Sequence, residues 1–287
     1  EPKSNRNREI SSTKVVAAFF EKIWENRKSE QISWKAAKIT TKSGKIQLFR
    51  ISDVYGIERV HIAVSSNFIE PLNLIKKKFL KNNKIIITTS KGSTAKLFSQ
   101  IINNAPIDIF LSADQLTIKK IPDNKKIKGS GFTYAIGNLV IFSKSKISNS
   151  LKLKNIFIEK SSSKTVIANP KFSPYGRASK QVLESLGMWS TFESKIILAS
   201  NISQVSSFIY SGNADLGIIS HSDKLKLKKY EFGYFKEIPQ NLYTQIKQDV
   251  ILLKNSKKNN KAKLFLNFLK SNISKNIITS FGYKIIN

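Results

Sequence analysis

The chain has 287 residues, 40% of them hydrophobic, which is enough apolar material for one large or two modest globular domains. The formal net charge is +30, from 49 Lys and Arg against 19 Asp and Glu, and there is no cysteine. The composition therefore excludes disulfides and thiolate chemistry. The two histidines, His61 and His221, lie far apart and give no support to a catalytic triad or a histidine-rich metal site. No apolar run approaches the ~20 residues of a membrane-spanning helix.

The strong basic charge has two explanations. Such a charge is typical of proteins that bind nucleic acid or anionic membranes. Here, however, lysine occurs together with much Ile, Asn and Ser, as in KKKFLKNNKIIITTSK at 76–91, and it is dispersed along the chain. No stretch interleaves Arg with aromatic residues, as surfaces that bind single strands do. Compositional drift is the favoured explanation, and no nucleic-acid partner is expected.

Residues 1–58 differ in character from the rest of the chain. They begin polar and basic, they hold two of the three tryptophans, Trp24 and Trp34, and they contain one amphipathic segment at 15–24. We interpret this stretch as an N-terminal extension of uncertain structure.

From residue 59 onward, short apolar runs alternate with helical patterns. This alternation is typical of βαβ units and of a mainly parallel sheet, so the fold class is α/β. The predicted strands are 60–64, 85–89, 107–111, 134–143, 164–168, 195–199, 215–219 and 248–253. The predicted helices are 70–81, 94–103, 176–187, 202–211 and a long final helix at 260–279.

Four of the predicted strand-to-helix junctions are rich in small polar residues. They are AVSSNF (63–68), TSKGSTAKL (89–97), ANPKFSPYGRA (168–178) and ASNISQVSS (199–207). In an open parallel sheet such junctions line one crevice, into which helix N-termini direct free N–H groups and the positive end of the helix dipole. Ordinary N-capping explains each junction alone. The four together predict a site for an anion.

An anion site of this kind needs no cationic side chain. Hydrogen bonds from neutral donors to a charged group contribute about 1.5–3 kcal/mol each, and micromolar affinity needs only about 8 kcal/mol. Lys91, Lys96 and Arg177 are near the junctions, but lysine is near every part of this chain. The junctions contain no Asp or Glu, which disfavours phosphate, because phosphate carries a proton at neutral pH and needs an acceptor.

Longer motifs resemble a known family. The segments VHIAVSSNFIEPL, GSTAKLFSQIINNAPIDIFLSADQ, FTYAIGNLVIFS, IANPKFSPYGRASKQVLESLGMW, NISQVSSFIYSGNADLGIIS and IPQNLYTQIKQDVILLK follow one another between about 59 and 284. This part of the chain resembles the periplasmic molybdate-binding proteins of bacterial ABC transporters, the ModA family. The motifs APxDxFLSADQ, NPxxxPYGRA and GNADLG together carry the resemblance.

The resemblance implies a two-lobed periplasmic-binding-protein fold of type II. Each lobe is expected to be a mainly parallel sheet flanked by helices, and two crossover strands, at 137–143 and 246–252, join the lobes. The implied domains are residues 1–58 as the extension, 59–138 plus 250–287 as lobe 1, and 139–249 as lobe 2.

The resemblance also implies a function. The expected protein captures molybdate or tungstate outside the cytoplasm, in the periplasm, and delivers it to the membrane permease of an ABC importer. It is expected to be a monomer, to need no cofactor and to catalyse no reaction. Another tetrahedral oxyanion, such as sulfate, is the alternative ligand. Asp108, Asp114 and Asp215 are the tempting catalytic acids, but their motifs favour helix capping and lobe packing.

The family's ligand contacts carry over to this chain by motif. Molybdate would be bound as an oxyanion, through hydroxyl groups and main-chain N–H groups, by Ser66, Asn67, Ser93 or Thr94, Tyr175 and Ile202. Two alternatives stay open. Ser65 is an alternative to Ser66. Some members have a further ligand tyrosine close to the position of Ser220, so in this chain the sixth contact is either Ser220 or missing.

Overall fold

The computed structural model describes residues 37–40, 46–49, 59–148, 150–159, 163–228, 233–254 and 260–286. The chain divides into two units, one of residues 1–59 with 84–86 and one of residues 60–83 with 87–287. In the first unit, strands β1 (Ala37–Thr40) and β2 (Ile46–Phe49) pair antiparallel. The predicted amphipathic segment at 15–24 lies outside the described residues, as do Trp24 and Trp34. In the described ranges, no helix has the length and apolarity needed to cross a membrane.

The first five-stranded sheet has the strand order β4–β3–β5–β12–β6. Strands β3 and β5 run parallel, whereas β12 is antiparallel to both β5 and β6. The sheet is therefore mixed. Its strands are β3 (Arg59–Ser65), β4 (Ile86–Gly92), β5 (Ile109–Leu111), β6 (Phe132–Gly137) and β12 (Ile246–Leu252).

The second sheet has the strand order β11–β7–β10–β8–β9. Strands β10, β8 and β9 run parallel, and β7 lies antiparallel between β10 and β11. Its strands are β7 (Leu139–Ser143), β8 (Thr165–Ala168), β9 (Ile197–Ala199), β10 (Leu216–Ser220) and β11 (Tyr234–Glu237).

Helices cover both sheets. Those of the first lobe are α1 (Ile69–Leu80), α2 (Thr94–Ile102), α3 (Gln115–Lys120), α9 (Asn260–Leu269) and α10 (Asn272–Ser280). Those of the second are α4 (Leu153–Glu159), α5 (Pro174–Ser185), α6 (Trp189–Phe192), α7 (Ile202–Tyr210) and α8 (His221–Lys228). Ala63 of β3 packs with Leu97 and Ile101 of α2. Because side chains alternate along a strand, Ile62 and Val64 face the opposite side of the sheet.

The two-lobed α/β fold is confirmed, with three differences in detail. The predicted strand 134–143 is two strands, β6 and β7, which belong to different sheets because the chain crosses between lobes at Asn138. The predicted final helix is two helices, because the Ser271 hydroxyl caps α10 by accepting the Ser274 N–H at 3.3 Å. Strand β12 starts at Ile246 and lies wholly in the first sheet, ahead of the boundary predicted at residue 250. The elements without a predicted counterpart are α3, α4, α6, α8, β1, β2 and β11.

Candidate functional site

The first junction is a buried turn that carries three polar residues. Strand β3 ends at Ser65, and a single 3-10 turn, Ser66–Phe68, leads into α1. The relative exposures of Ser65, Ser66 and Asn67 are only 2%, 3% and 3%. Their polar groups are thus held away from solvent, where a hydrogen bond to an anion is strongest.

The second junction meets the first through a pair of hydroxyls. Thr94, the first residue of α2, has its Oγ1 atom 2.8 Å from Ser65 Oγ. The Thr94 oxygen also accepts the backbone N–H of Ala113 at 3.3 Å. When Ser65 donates to Thr94, the Thr94 proton is left to point at an anion. In that arrangement Ser66, and not Ser65, is the serine whose hydroxyl proton stays available to an anion.

Ser93 lies at the N-cap of α2. Its Oγ accepts the N–H of Lys96 at 3.4 Å, and its relative exposure is 8%. Acting as a cap uses a lone pair and leaves the hydroxyl proton available. Ser93 and Thr94 can therefore both donate to one ligand.

The third and fourth junctions supply backbone donors from the second lobe. Ser173 caps α5 by accepting the N–H of Gly176 at 3.3 Å, and Asn201 caps α7 by accepting the N–H of Gln204 at 3.2 Å. The N–H groups in the first turn of a helix have no partner within it. Tyr175 and Ile202 occupy these first turns, with relative exposures of 1% and 2%.

Direct bonds bring the junctions of the two lobes together. The hydroxyl of Ser203, on α7, donates to the carbonyl oxygen of Ser66 at 3.0 Å. The N–H of Ala95, on α2, donates to the carbonyl oxygen of Phe172, in the third junction, at 3.2 Å. All four predicted junctions therefore meet between the lobes.

An ion pair also joins the two lobes. Arg177 of α5 bonds the carboxylate of Asp114, which caps α3 by accepting the N–H of Thr117 at 2.8 Å. The guanidinium thus has a partner in the protein. The interpretation of Asp114 as a helix cap and lobe-packing residue is consistent with these contacts.

Ser220 is fully buried at the end of β10, and the protein uses its hydroxyl. Its Oγ donates to the Asp223 carboxylate at 2.7 Å and accepts the Asp223 N–H at 3.2 Å. A hydroxyl has one proton to give. Donation to Asp223 argues against Ser220 as a sixth contact to an anion.

A charged cluster follows at the start of α8. Glu237 of β11 lies 3.4 Å from His221 Nδ1 and also pairs with Lys224. Burial raises the pKa of the Glu237 carboxyl, but the hydrogen bonds from His221 and Lys224 outweigh burial and lower the pKa to about 2. Glu237 thus stays ionised.

The side chain of Asn67 belongs to a buried network that sequence reasoning missed. Its Nδ2 lies 2.7 Å from Gln248 Oε1, 3.0 Å from Tyr283 Oη and 3.4 Å from Tyr175 Oη. Gln248 Oε1 also accepts from Tyr134 Oη at 3.2 Å, and Gln248 Nε2 donates to Tyr175 Oη at 3.1 Å. The amide protons of Asn67 are therefore directed at protein atoms, which leaves its backbone N–H for an anion.

The network is neutral. Burial raises the pKa of the hydroxyls of Tyr134, Tyr175 and Tyr283, so all three stay protonated at physiological pH. In the part of the chain that the structure describes, no group of three or more His, Cys, Asp or Glu is placed to hold a metal ion. The neutral hydroxyl and N–H groups at the junctions can donate hydrogen bonds to an anion.

Two lobes with buried neutral donors where they meet define a solute-binding protein. Residues 60–284 match the sequence model of the family described as bacterial extracellular solute-binding protein. The chain is 36% identical over 229 residues to the molybdate-binding protein ModA of Azotobacter vinelandii, covering 78% of this chain and 89% of that protein. It is 35% identical over 222 residues to ModA of Rhodobacter capsulatus, covering 77% of this chain and 86% of that protein. The chain belongs to this solute-binding family and, within it, to the ModA family.

Solved structures support the same assignment. The periplasmic molybdate-binding protein of Azotobacter vinelandii superposes with a TM-score of 0.73 at 28% identity, over 79% of this chain and 100% of that one. The sulfate-binding protein SubI of Mycobacterium tuberculosis superposes with a TM-score of 0.66 at 10% identity, over 80% of this chain and 88% of that one. The second similarity concerns the fold alone.

Proposed function

We propose that this protein captures molybdate, and also tungstate, in the periplasm and delivers it to the permease of an ABC importer. The observation that carries the proposal is the meeting of four helix-initiating junctions, which offer buried neutral donors from both lobes. The relatives named as molybdate-binding proteins supply the identity of the ligand. We further propose that the protein works as a monomer, without a cofactor, without a nucleic-acid partner and without catalysing a reaction.

The proposed site divides its donors between the lobes. Lobe 1 offers the hydroxyls of Ser66, Ser93 and Thr94 and the backbone N–H of Asn67, and lobe 2 offers the backbone N–H groups of Tyr175 and Ile202. Each bond from a neutral donor to a charged oxygen contributes about 1.5–3 kcal/mol. A fully deprotonated oxyanion can accept from every donor in this set, which is why molybdate, tungstate and sulfate are the candidate ligands.

Binding is coupled to closure of the lobes. The chain crosses between the sheets at Asn138 and again before Ile246. An anion that bonds both lobes at once binds the closed form better than the open form, and this difference in affinity shifts the equilibrium toward closure. The closed form would be the state that the permease recognises.

Titration calorimetry with molybdate, tungstate, sulfate and phosphate tests the proposal. We expect molybdate and tungstate to bind at micromolar concentration or below, and sulfate much more weakly. Equal affinity for sulfate would refute the assigned specificity. The phosphate titration also tests Asn67, whose Oδ1 is buried and accepts no hydrogen bond from the described residues. Tight phosphate binding would show that the site contains an acceptor for the phosphate proton, and Asn67 Oδ1 would be the candidate.

A double variant tests the location of the site. Ser66→Ala combined with Thr94→Ala is expected to weaken molybdate binding by about 2–5 kcal/mol while the protein stays folded. The matched control is Lys91→Ala, because Lys91 is an exposed residue of the second junction that is not among the proposed ligand contacts. A large loss in the control would show that a lysine pairs with the anion, and full affinity in the double variant would place the anion elsewhere.

A further inference from the structure

The acidic residues of this protein are unevenly distributed. From residue 250 to residue 287 the chain has eight Lys and no Asp or Glu, whereas residues 139–249 combine 16 Lys and Arg with eight Asp and Glu. A uniform drift toward lysine would add positive charge everywhere, but it would not remove every carboxylate from one segment. The C-terminal segment therefore differs in kind from the second lobe.

Two helices of this segment, α9 and α10, belong to one layer of helices. Helices α9 and α10 pack against each other and against α1. The rings of Phe79, on α1, and Phe265, on α9, meet edge to face with centroids 5.1 Å apart, which fixes the two helices together. Helix α1 adds Lys77 and Lys78, and its one acidic residue, Glu70, lies in its first turn.

The outer side of this layer combines lysines with large apolar side chains. Leu74, Leu264 and Ile273 have relative exposures of 45%, 43% and 51%. In α1, the positions 74, 77 and 78 are three and four residues apart and share one stripe. In α9, Lys263 and Leu264 are both exposed. We call the set Leu74, Lys77, Lys78, Lys263, Leu264 and Ile273 the basic face.

We infer that the basic face binds the surface of an anionic lipid bilayer. Lysines attract anionic headgroups, and exposed leucine and isoleucine side chains enter the boundary between headgroups and acyl chains. Each lysine near an anionic membrane contributes about fivefold to the partition coefficient. A nucleic acid is a less suitable partner, because the basic face has no Arg to form bidentate bonds with phosphates and no aromatic residue on which bases could stack.

The inference is independent of the proposed cargo. None of the residues predicted to contact the oxyanion belongs to the basic face. All six residues of the basic face belong to helices of lobe 1, so lobe 2 keeps its freedom to open and close while lobe 1 is held at the membrane. Molybdate affinity is therefore expected to be the same with and without bound vesicles.

Vesicle sedimentation with the full chain tests the inference. We compare vesicles of phosphatidylcholine alone with vesicles of equal parts phosphatidylcholine and phosphatidylglycerol. We expect binding only to the second kind, weakening as salt is raised. The triple variant Lys77→Glu, Lys78→Glu and Lys263→Glu is expected to lose at least about 30-fold in partition coefficient.

A matched triple variant separates the face from the net charge. Lys152→Glu, Lys154→Glu and Lys195→Glu changes three exposed lysines of lobe 2 and gives the same net charge. We expect the partition coefficient of this variant on anionic vesicles to fall by less than about threefold. Equal losses in the two triple variants would overturn the inference, as would no binding by the unaltered chain to the anionic vesicles.

A second variant tests the apolar contribution and keeps all charges. Leu74→Ser with Leu264→Ser removes exposed apolar atoms only. We expect the partition coefficient on anionic vesicles to fall about tenfold and the affinity for a DNA duplex to stay the same. If instead the chain binds the duplex as tightly as the vesicles and the leucines prove irrelevant, the partner is a polyanion and not a membrane. Circular dichroism and molybdate calorimetry on each variant show whether fold and cargo binding persist.

Discussion

Replacing Thr94 by Val removes one hydroxyl from the proposed site and keeps the shape of the side chain. Thr94 Oγ1 accepts the N–H of Ala113 and shares a 2.8 Å bond with Ser65; when Ser65 is the donor of that bond, the Thr94 proton is free for an anion. A hydroxyl bonded to a charged acceptor contributes about 1.5–3 kcal/mol. We therefore expect the dissociation constant for molybdate to rise about 10- to 150-fold.

Ser65→Ala acts on the same bond from the other side. Ser65 is expected to orient the Thr94 proton without contacting the anion, so its loss corresponds to one neutral hydrogen bond, about 0.5–1.5 kcal/mol or a 2- to 10-fold weaker affinity. In the Thr94→Val background there is no such proton to orient. Adding Ser65→Ala there should change the affinity little.

Calorimetry on the unaltered chain, both single variants and the double variant completes a double-mutant cycle. The matched control is Ser99→Ala, an exposed serine further along α2, which should leave the affinity unchanged. Additive losses from Ser65→Ala and Thr94→Val would mean that Ser65 touches the anion itself. Full affinity in Thr94→Val would show that the Thr94 hydroxyl does not contact the anion and would leave Ser93 as the donor of the second junction.

Three further predictions concern residues around the site. Gly137→Ala would put a methyl carbon 2.0 Å from the Tyr175 hydroxyl oxygen. Chemical denaturation should therefore show a free energy of unfolding lower by about 1–3 kcal/mol. Adding Tyr175→Phe should recover part of this stability, and no recovery would contradict the clash. Asp114→Asn weakens the ion pair between the lobes, which lies at a partly exposed position. The rate of molybdate release, measured by stopped flow, should therefore rise about 2- to 5-fold. An unchanged rate would show that the pair does not hold the lobes together. Glu237 has a lowered pKa, so its charge stabilises the fold above the unfolded value near 4.5 and ceases to do so as the pH falls to about 2. Glu237→Gln should thus be less stable than the unaltered chain at neutral pH, by less than about 1 kcal/mol, and equally stable at pH about 2; a difference that persists there would refute this account.

The junctions could be predicted from the sequence because they depend on local chemistry. Small polar residues at the start of a helix cap it through contacts only three residues away, as Ser173 and Asn201 do. The crossing at Asn138 could not be predicted in this way. The residues on both sides of it have the same apolar pattern, and nothing local indicates that they pair in different sheets.

The buried network was missed because its members come from distant parts of the chain. Gln248 and Tyr283 bond Asn67 across 181 and 216 residues. A local signal for Gln248 did exist. In β12 the side chains of Ile246, Gln248 and Val250 are all buried at alternate positions, which places an amide on the inner face of an apolar strand. Such a polar residue requires a partner inside the protein.

The carbonyl oxygen and the hydroxyl of Ser66 have separate consequences. The carbonyl oxygen accepts a bond from Ser203 of the other lobe, a contact in which the proposed anion takes no part. In the proposed mechanism this bond would lengthen the residence time of every cargo equally and would not favour one over another. Discrimination depends on the hydroxyl and its neighbouring donors. Changes at residue 203 can thus adjust how fast cargo is released without altering which anion is chosen.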